Sequence, residues 1–216
     1  MDDYPIPYRY ICVEGNIGSG KTSLCNKLAK RFNGKLLLEQ FTDNPFLPFF
    51  YSDPERYAFP VEVFFMTERH KQMQKHILTR DLFAEHIFAD YCFPKTLLFA
   101  KNNLNDEEFR IFQHLFQLLE TPFPHPDLLV YLHRSTSKLM QLIEDRGRVM
   151  ESPISEDYLK NIQDAYYEYF RSENSYPILI IDVEDMNFMK NKEHMDEILK
   201  LLGQRYNPGV HRVSIH

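Results

Sequence analysis

The residues with the clearest chemical signature lie near the start of the chain, in the Gly-rich stretch from Gly15 to Thr22. Its spacing is G-x-x-x-x-G-K-T, in which the glycines let backbone N–H groups curl around phosphate oxygens. Lys21 adds a positive charge, and the Thr22 hydroxyl can ligate magnesium. An apolar run precedes the stretch and a helical pattern follows it, which is the context that this motif requires. The stretch predicts a site for a nucleoside triphosphate, formed by Gly15, Asn16, Ile17, Gly18, Ser19, Gly20, Lys21 and Thr22.

The elements that must position this loop are visible as five short apolar runs, which alternate with longer helical patterns. Continuous apolar runs are typical of strands that are buried on both faces of a parallel sheet. The alternation predicts an α/β fold built around the P-loop, with a five-stranded parallel sheet flanked by helices in one domain of 216 residues. The predicted strands are Tyr8–Val13, Lys35–Leu38, His86–Ala89, Leu128–Leu132 and Ile178–Val183.

The polar residues that follow each run are candidate site residues, because ligands of such sheets bind beyond the carboxyl ends of the strands. Glu39 follows the second run and Asp90 the third, while Glu184 and Asp185 follow the fifth. Glu39 is the natural general base, since a carboxylate bonded to an acceptor hydroxyl can take its proton as the bond to phosphorus forms. The alternative for Glu39 is a solvated charge at the end of a strand.

A long segment between the second and third runs carries a further charged pair. Pro60 is predicted to begin a helix that runs to about His76. Glu62 and Arg69 are seven residues apart in it, so they lie on one face two turns from each other. On spacing alone, a solvated charge pair is the commoner reason for such an arrangement.

A later segment, at about residues 145–154, contains two arginines that flank a glycine between two predicted helices. Arginine binds phosphoryl oxygens in a bidentate manner, and a mobile segment of this kind suits closure over a triphosphate. We therefore predict a lid in which Arg146 and Arg148 face the phosphates. An ordinary charged loop is the alternative.

The composition narrows the classes of partner. The net charge is −6 and no lysine- or arginine-rich run occurs, so nucleic acid is not expected as a general partner. Three scattered cysteines without a C-x-x-C pair predict reduced thiols and a cytoplasmic location. The sequence has no basic-then-apolar leader and no apolar run of membrane-spanning length, so neither secretion nor a membrane partner is expected.

Taken together, these motifs resemble the deoxynucleoside kinases, the family of deoxycytidine, deoxyguanosine and deoxyadenosine kinases, and particularly its bacterial members. The resemblance runs from about Tyr8 to Leu202 and involves several motifs in the family's order. It implies an enzyme of nucleotide salvage that uses ATP and magnesium to phosphorylate the 5′-hydroxyl of a deoxynucleoside. It also implies a homodimer, because members of the family are usually dimers.

The resemblance also implies roles for residues that match the family's motifs. Glu39 matches the base for the 5′-hydroxyl, and Tyr51 and Glu151 match residues that bond the sugar 3′-hydroxyl. Arg146 and Arg148 match lid arginines that grip the phosphates. By the same resemblance, Arg69 contacts the nucleoside base. The loop Asp182–Phe188, which includes Glu184 and Asp185, is implied to contact the adenine of ATP. Thr22 and Asp90 are implied to hold magnesium.

Glu62 is the first departure from the family pattern, because many members have a glutamine that hydrogen-bonds the base at this position. An ionised carboxylate can only accept hydrogen bonds, whereas a glutamine both donates and accepts. Guanine offers two adjacent donors and adenine offers its 6-amino group, so a purine substrate is favoured over a pyrimidine. Likeness to bacterial members favours deoxyadenosine, while counting hydrogen bonds favours deoxyguanosine, and both stay open.

Asp90 marks the second departure. The family usually has an acidic residue followed by arginine after the third strand, whereas this chain has Asp90 followed by Tyr91. Asp90 matches the acidic residue that helps to hold magnesium through water, but an alignment shifted by one residue places it where the arginine stands. Tyr91 cannot replace a guanidinium. The cation that orients the general base must come from elsewhere, with Lys95 or the lid as candidates.

Three other functions compete with a purine deoxynucleoside kinase. A kinase of broad or pyrimidine specificity would keep the same site. A nucleoside monophosphate kinase shares the P-loop and a lid, but Glu39 would repel the phosphate of its acceptor. A nucleotide-dependent switch or adaptor, a different class altogether, would have no use for Tyr51, Glu62 and Glu151.

Overall fold

The continuous apolar runs form the strands of one parallel sheet. The computed structural model describes residues 4–40, 43–78, 85–119 and 123–214. The strands lie in the order β2-β3-β1-β4-β5-β6 and every neighbouring pair is parallel, which confirms the predicted α/β fold class. Their bounds are β1 Tyr10–Gly15, β2 Lys35–Leu37, β3 Ile87–Ala89, β4 Leu128–His133, β5 Pro177–Asp182 and β6 Gly209–Ser214.

The prediction of five strands was wrong, because β6 adds a sixth at one edge of the sheet. It pairs with β5 in register from Gly209 opposite Pro177 to Ser214 opposite Asp182. Its residues alternate between half-buried and exposed, unlike the uniformly buried residues of β1. One face of β6 is half-buried and the other is exposed, so its sequence lacks the continuous apolar run by which the other five strands were recognised.

Helices cover both faces of the sheet. The third helix begins at Pro54, six residues before the predicted start, because Pro54 takes the first helical turn, where a missing N–H costs nothing. Pro60 instead lies inside that helix, and burial of Val61, Met66 and Met73 compensates for the lost hydrogen bond. The helices are α1 Lys21–Phe32, α2 Leu47–Phe50, α3 Pro54–His76, α4 Lys95–Asn103, α5 Asp106–Leu119, α6 Thr136–Arg146, α7 Glu156–Ser172 and α8 Lys192–Leu202.

The central strand β1 divides the core into two layers. Ile11 and Val13 point to the face that α1 and α8 cover. Tyr10 packs with α3 on the opposite face, and Cys12 packs there with α7. Side chains of a strand alternate between faces, so β1 contributes to both layers. Because the strands are parallel, the carboxyl ends of β1, β2 and β3 lie at a common edge. None of the helices in the described ranges is both long and apolar enough to cross a bilayer.

Candidate active site

A cavity of about 590 Å³ opens at the carboxyl edge of the sheet. It brings together residues from distant parts of the chain, as the strand-end rule predicts. Of the predicted site residues, those that line it are Ile17, Gly18, Ser19, Gly20, Lys21, Thr22, Glu39, Tyr51, Glu62, Arg69, Asp90, Arg146, Arg148, Glu151, Glu184 and Asp185. Gly15 and Asn16 are predicted site residues that do not line the cavity.

The P-loop connects β1 to α1 with two glycines in the left-handed region. Gly18 has φ +85°, and Gly20 has φ +98° directly before the first turn of α1. A side chain at Gly20 would come within 2.9 Å of the Phe188 ring, so the loop needs glycine there for space as well as for conformation. Lys21 Nζ donates to the Asn16 carbonyl oxygen at 3.0 Å, and burial together with Lys95 lowers the pKa of Lys21 to about 8. Nearby phosphate charge would favour its protonated form.

Gly15 and Asn16 support the P-loop from behind. The Asn16 amide donates to the Leu159 carbonyl oxygen at 2.7 Å, and its side-chain oxygen accepts from the Ile17 N–H at 2.8 Å. A Cβ at Gly15 would lie 2.9 Å from the carbonyl oxygen of Leu132 in the neighbouring strand. These two residues therefore hold the loop against β4 and α7.

Asp90 lies between the P-loop and the general-base candidate. One carboxylate oxygen accepts from the Thr22 hydroxyl at 2.5 Å, and the other accepts from the Glu39 N–H at 2.7 Å. Below it, the buried Glu14 accepts from the Cys92 N–H at 2.8 Å and from the Tyr166 hydroxyl at 2.7 Å. Glu14 thereby aligns the segment after β3 with the P-loop. Hydroxyl and carboxylate oxygens are the ligands that magnesium prefers, so Thr22 and Asp90 fit the ion.

Two cations hold the carboxylate of Glu39. Arg69 donates to Oε1 through Nε at 2.8 Å, and Lys95 Nζ donates to Oε2 at 2.8 Å. Burial raises the pKa of Glu39, but the charges of Arg69 and Lys95 outweigh that effect and bring it well below its ordinary value. Lys95, one of the two candidates for the orienting cation, thus contacts Glu39 together with Arg69.

The far end of the cavity contains the buried carboxylate of Glu62. Glu62 is 2% exposed, and its Oε1 accepts from the Asn103 amide at 2.7 Å. Its Oε2 is buried and has no hydrogen-bond partner among the described residues. Burial raises the pKa of Glu62 to about 7 against the opposing effects of Arg69 and Asn103. Burial therefore opposes the ionised form of Glu62.

The lid arginines converge on a single carboxylate. Arg146 and Arg148 both pair with Glu151, which is 6% exposed and lies in a short 3₁₀ helix, Val149–Glu151. Tyr51 faces the same part of the cavity, with its ring 5.9 Å from that of Tyr158 in an edge-to-face arrangement. Burial and the Glu151 charge raise the pKa of Tyr51, so its hydroxyl stays protonated as a hydrogen-bond donor.

The loop after β5 closes the other end of the cavity. The Arg134 guanidinium donates to the carbonyl oxygens of Glu184 and Met186 at 2.8 and 2.9 Å. Both oxygens of the Glu184 carboxylate accept from Ser135, through its N–H at 2.7 Å and its hydroxyl at 2.6 Å. Glu184 therefore shapes this loop through its side chain, while Asp185 lines the cavity.

Several cavity residues were absent from the predicted site. Arg134 directly follows β4, so the strand-end rule could have found it. Asn103 and Phe99 lie on α4 and Tyr158 lies on α7, in stretches with no recognisable motif. The lining residues that the sequence analysis did not name include Phe99, Asn103, Arg134 and Tyr158.

A P-loop at the edge of a parallel sheet, a carboxylate beside it that two cations hold, and two arginines lining the same cavity are typical of a P-loop phosphotransferase. The deoxynucleoside kinase family model matches residues 11–205, so the chain belongs to the deoxynucleoside kinase family. The predicted enzyme class and family are thereby confirmed. A nucleotide-dependent switch without turnover is not supported.

Curated relatives match over most of their length. A deoxyguanosine kinase of Bacillus subtilis is 29% identical over 88% of this chain and 93% of its own. A deoxyadenosine/deoxycytidine kinase of the same organism is 30% identical over 92% of this chain and 94% of its own. The solved structure of deoxyadenosine kinase from M. mycoides with bound dATP superimposes with a TM-score of 0.77 at 22% identity, covering 90% of this chain and all of that one. This superposition confirms the fold.

Proposed function

We propose that the protein transfers the γ-phosphate of ATP to the 5′-hydroxyl of a purine deoxynucleoside in nucleotide salvage. The observation that carries the proposal is the Glu39 carboxylate, which lies between the P-loop and a buried pocket that ends at Glu62. A carboxylate at that point suits an acceptor hydroxyl and repels an acceptor phosphate. The nucleoside monophosphate kinase alternative is therefore disfavoured.

The donor half of the site is the P-loop. Its N–H groups and Lys21 bind the β- and γ-phosphates, and Arg146 and Arg148 neutralise charge on the transferring group when the lid closes. Thr22 and, through water, Asp90 would hold magnesium. When bound, the ion neutralises charge on the phosphate oxygens. The loop around Asp185 and Phe188 receives the adenine of ATP, with Arg134 holding its backbone in place.

The acceptor half is organised around Glu39. Glu39 takes the proton of the 5′-hydroxyl while the 5′-oxygen forms a bond to the γ-phosphorus and the bond from that phosphorus to ADP breaks. Arg69 and Lys95 keep the carboxylate ionised and oriented until the hydroxyl arrives. Tyr51 and Glu151 bind the sugar 3′-hydroxyl, and Glu62 binds the base.

Purine preference rests on the pocket's hydrogen-bonding groups. Glu62 presents an oxygen that has no partner among the described residues, and a purine amino group can donate to it. The curated relatives include deoxyguanosine and deoxyadenosine kinases, which agrees with a purine substrate. One relative is a deoxyadenosine/deoxycytidine kinase, so pyrimidine turnover is the competing outcome.

The proposal extends to location and assembly. Cys12, Cys25 and Cys92 are buried free thiols, which suits a cytoplasmic, reducing compartment. A homodimer is proposed from the family resemblance, and sedimentation velocity tests it.

The test is release of ADP from ATP and magnesium with each of the four deoxynucleosides and with deoxyadenosine monophosphate. We expect turnover with deoxyadenosine and deoxyguanosine, and little with the monophosphate. A clear preference for deoxycytidine or thymidine would contradict the role given to Glu62. Preference for the monophosphate would contradict the role given to Glu39.

A further inference from the structure

The orientation of one amide determines which oxygen of Glu62 can carry a proton. Asn102 donates to the Asn103 side-chain oxygen at 2.9 Å, so the Asn103 amide group must point away from it. That amide group donates to Glu62 Oε1 at 2.7 Å. A proton on Glu62 must therefore reside on Oε2, the buried oxygen that has no partner among the described residues.

The two protonation states of Glu62 offer different hydrogen-bonding patterns to a purine. The ionised form presents two acceptor oxygens, which match the adjacent N1–H and 2-amino donors of guanine. Adenine has an acceptor, N1, beside its 6-amino group, so an ionised carboxylate meets one donor and one repelling lone pair. The neutral form has one donor and one acceptor. It can pair with adenine N1 and its amino group, or with guanine O6 and N1–H.

We propose that Glu62, oriented by Asn103, is a proton-dependent selector of the purine base. In its ionised form it selects deoxyguanosine, and in its neutral form it also accepts deoxyadenosine. The inference rests on the proposed function, because it requires the nucleoside base to lie at this end of the cavity. It adds Asn103 as a positioning residue that determines which oxygen of Glu62 carries the proton.

The charges around Glu62 leave both of its states accessible. Arg69 lies on the same helix but is engaged by Glu39, so its charge is largely compensated. Burial raises the pKa of Glu62 to about 7, where modest changes in pH alter its charge. The charged and titratable groups that face it are Arg69 on α3, Glu39 after β2, Lys95 on α4, Tyr51 after α2 and Tyr158 on α7.

A competition assay measures the selection directly. Deoxyguanosine and deoxyadenosine are supplied together with ATP and magnesium, and the two monophosphate products are quantified from about pH 5.5 to about pH 8.5. Both substrates share the sugar, the donor and Glu39, so other ionisations cancel in the product ratio. We expect the ratio of deoxyguanosine to deoxyadenosine product to rise at least about tenfold as the pH is raised across this range. The reason is that ionised Glu62 gains one charged hydrogen bond from guanine and repels the N1 lone pair of adenine.

Three variants separate the selector from a structural effect. Glu62→Gln keeps a donor and an acceptor but does not titrate, so its product ratio should be low and independent of pH. Asn103→Leu removes a hydrogen bond that lowers the pKa of Glu62, so the midpoint of the transition should move to higher pH. Glu68→Gln, on the same helix in a surface pair with Lys71, should leave the wild-type profile unchanged.

The outcomes distinguish this inference from the proposed function. A constant product ratio in the wild-type enzyme, with both nucleosides turned over, would overturn the selector and leave the kinase intact. Absence of nucleoside-dependent ADP release at every pH would overturn the proposed function itself. The wild-type profile decides the question even if Glu62→Gln does not fold, and pH dependence that persists in Glu62→Gln would place the selector elsewhere.

Discussion

Arg69 donates two hydrogen bonds to a single oxygen of Glu39, through Nε at 2.8 Å and through a terminal nitrogen at 2.5 Å. With Lys95 on the other oxygen, the general-base candidate is bound by two cations before any substrate arrives. Such pairing lowers basicity, so an incoming 5′-hydroxyl must displace part of this network to receive a reactive carboxylate. Arg69 also lies on the helix that carries Glu62, so it would connect the proposed nucleobase site at Glu62 to Glu39.

Replacement of Glu39 tests its role as the base. Glu39→Gln keeps one acceptor oxygen, for either Arg69 or Lys95, but cannot take a proton, so we expect kcat to fall by about a hundredfold or more. Binding of a non-hydrolysable ATP analogue, measured by calorimetry, should be nearly unchanged. Thermal unfolding serves as the folding control. Turnover within about tenfold of wild type, a barrier change of about 1.4 kcal/mol, would show that another group is the base.

Removal of one cation should change the pH profile as well as the rate. Lys95 lowers the pKa of Glu39, so in Lys95→Met that pKa rises and Glu39 becomes protonated at a higher pH. We expect kcat/KM of the variant to decline at acidic pH where the wild-type enzyme does not. Lys101→Met on the same helix is the matched control, because Lys101 pairs with Glu168 at the surface. Superimposable profiles of the two variants would contradict a role for Lys95 at Glu39.

Asp90 is expected to set the affinity for magnesium. Chelation of divalent ions should abolish turnover, and Asp90→Asn should raise the magnesium concentration for half-maximal rate about tenfold or more. The side-chain oxygen of the introduced asparagine can still accept from the Glu39 N–H, but its NH₂ group cannot accept from the Thr22 hydroxyl. Thr22→Ser, which keeps the hydroxyl, should behave nearly like wild type. A lower kcat at unchanged magnesium dependence would restrict Asp90 to holding the backbone of Glu39.

The sugar contact of Tyr51 can be tested with matched substrates. Tyr51→Phe removes one hydroxyl, so we expect KM for a deoxynucleoside to rise about tenfold, the effect of one hydrogen bond. A dideoxynucleoside lacks the 3′-hydroxyl and should show the same KM with both enzymes. Tyr57→Phe, on the neighbouring helix α3, controls for loss of a hydroxyl elsewhere. An equal rise in KM for the deoxynucleoside and the dideoxynucleoside would mean that Tyr51 acts through packing and not through the 3′-hydroxyl.

Glu62 should also make stability depend on pH in the absence of any ligand. Its pKa is raised from 4.5 to about 7 in the folded state, so the unfolded chain ionises first and stability falls as pH rises between these values. Glu62→Gln avoids this loss, because a glutamine does not ionise. We expect the variant to gain about 2 to 3 kcal/mol in free energy of unfolding, relative to wild type, between about pH 4.5 and about pH 8.

Urea unfolding at the two ends of that pH range measures this difference. Glu68→Gln should show no such gain, because Glu68 lies in a surface pair with Lys71. If the free energies of unfolding of wild type and Glu62→Gln differed by the same amount at both ends of the pH range, Glu62 would not be desolvated in the folded protein.

The sequence by itself determined the local features of the fold and much of the donor site. Apolar runs predicted five strands, and each of them is present in the sheet. The glycines, Lys21 and Thr22 follow one another in the chain, so their spacing alone indicated a phosphate site. These signals are local, because backbone conformation and side-chain periodicity depend on neighbouring residues.

Tertiary structure alone decided which side chains meet across the chain. Arg69 and Glu39 are 30 residues apart, Lys95 and Glu39 are 56 apart, and Asn103 and Glu62 are 41 apart. No local pattern encodes these pairs, since they form only when α3 and α4 pack against the same edge of the sheet. The surroundings then set opposite pKa shifts on two glutamates that look equivalent in the sequence: paired cations lower the pKa of Glu39, and desolvation raises that of Glu62.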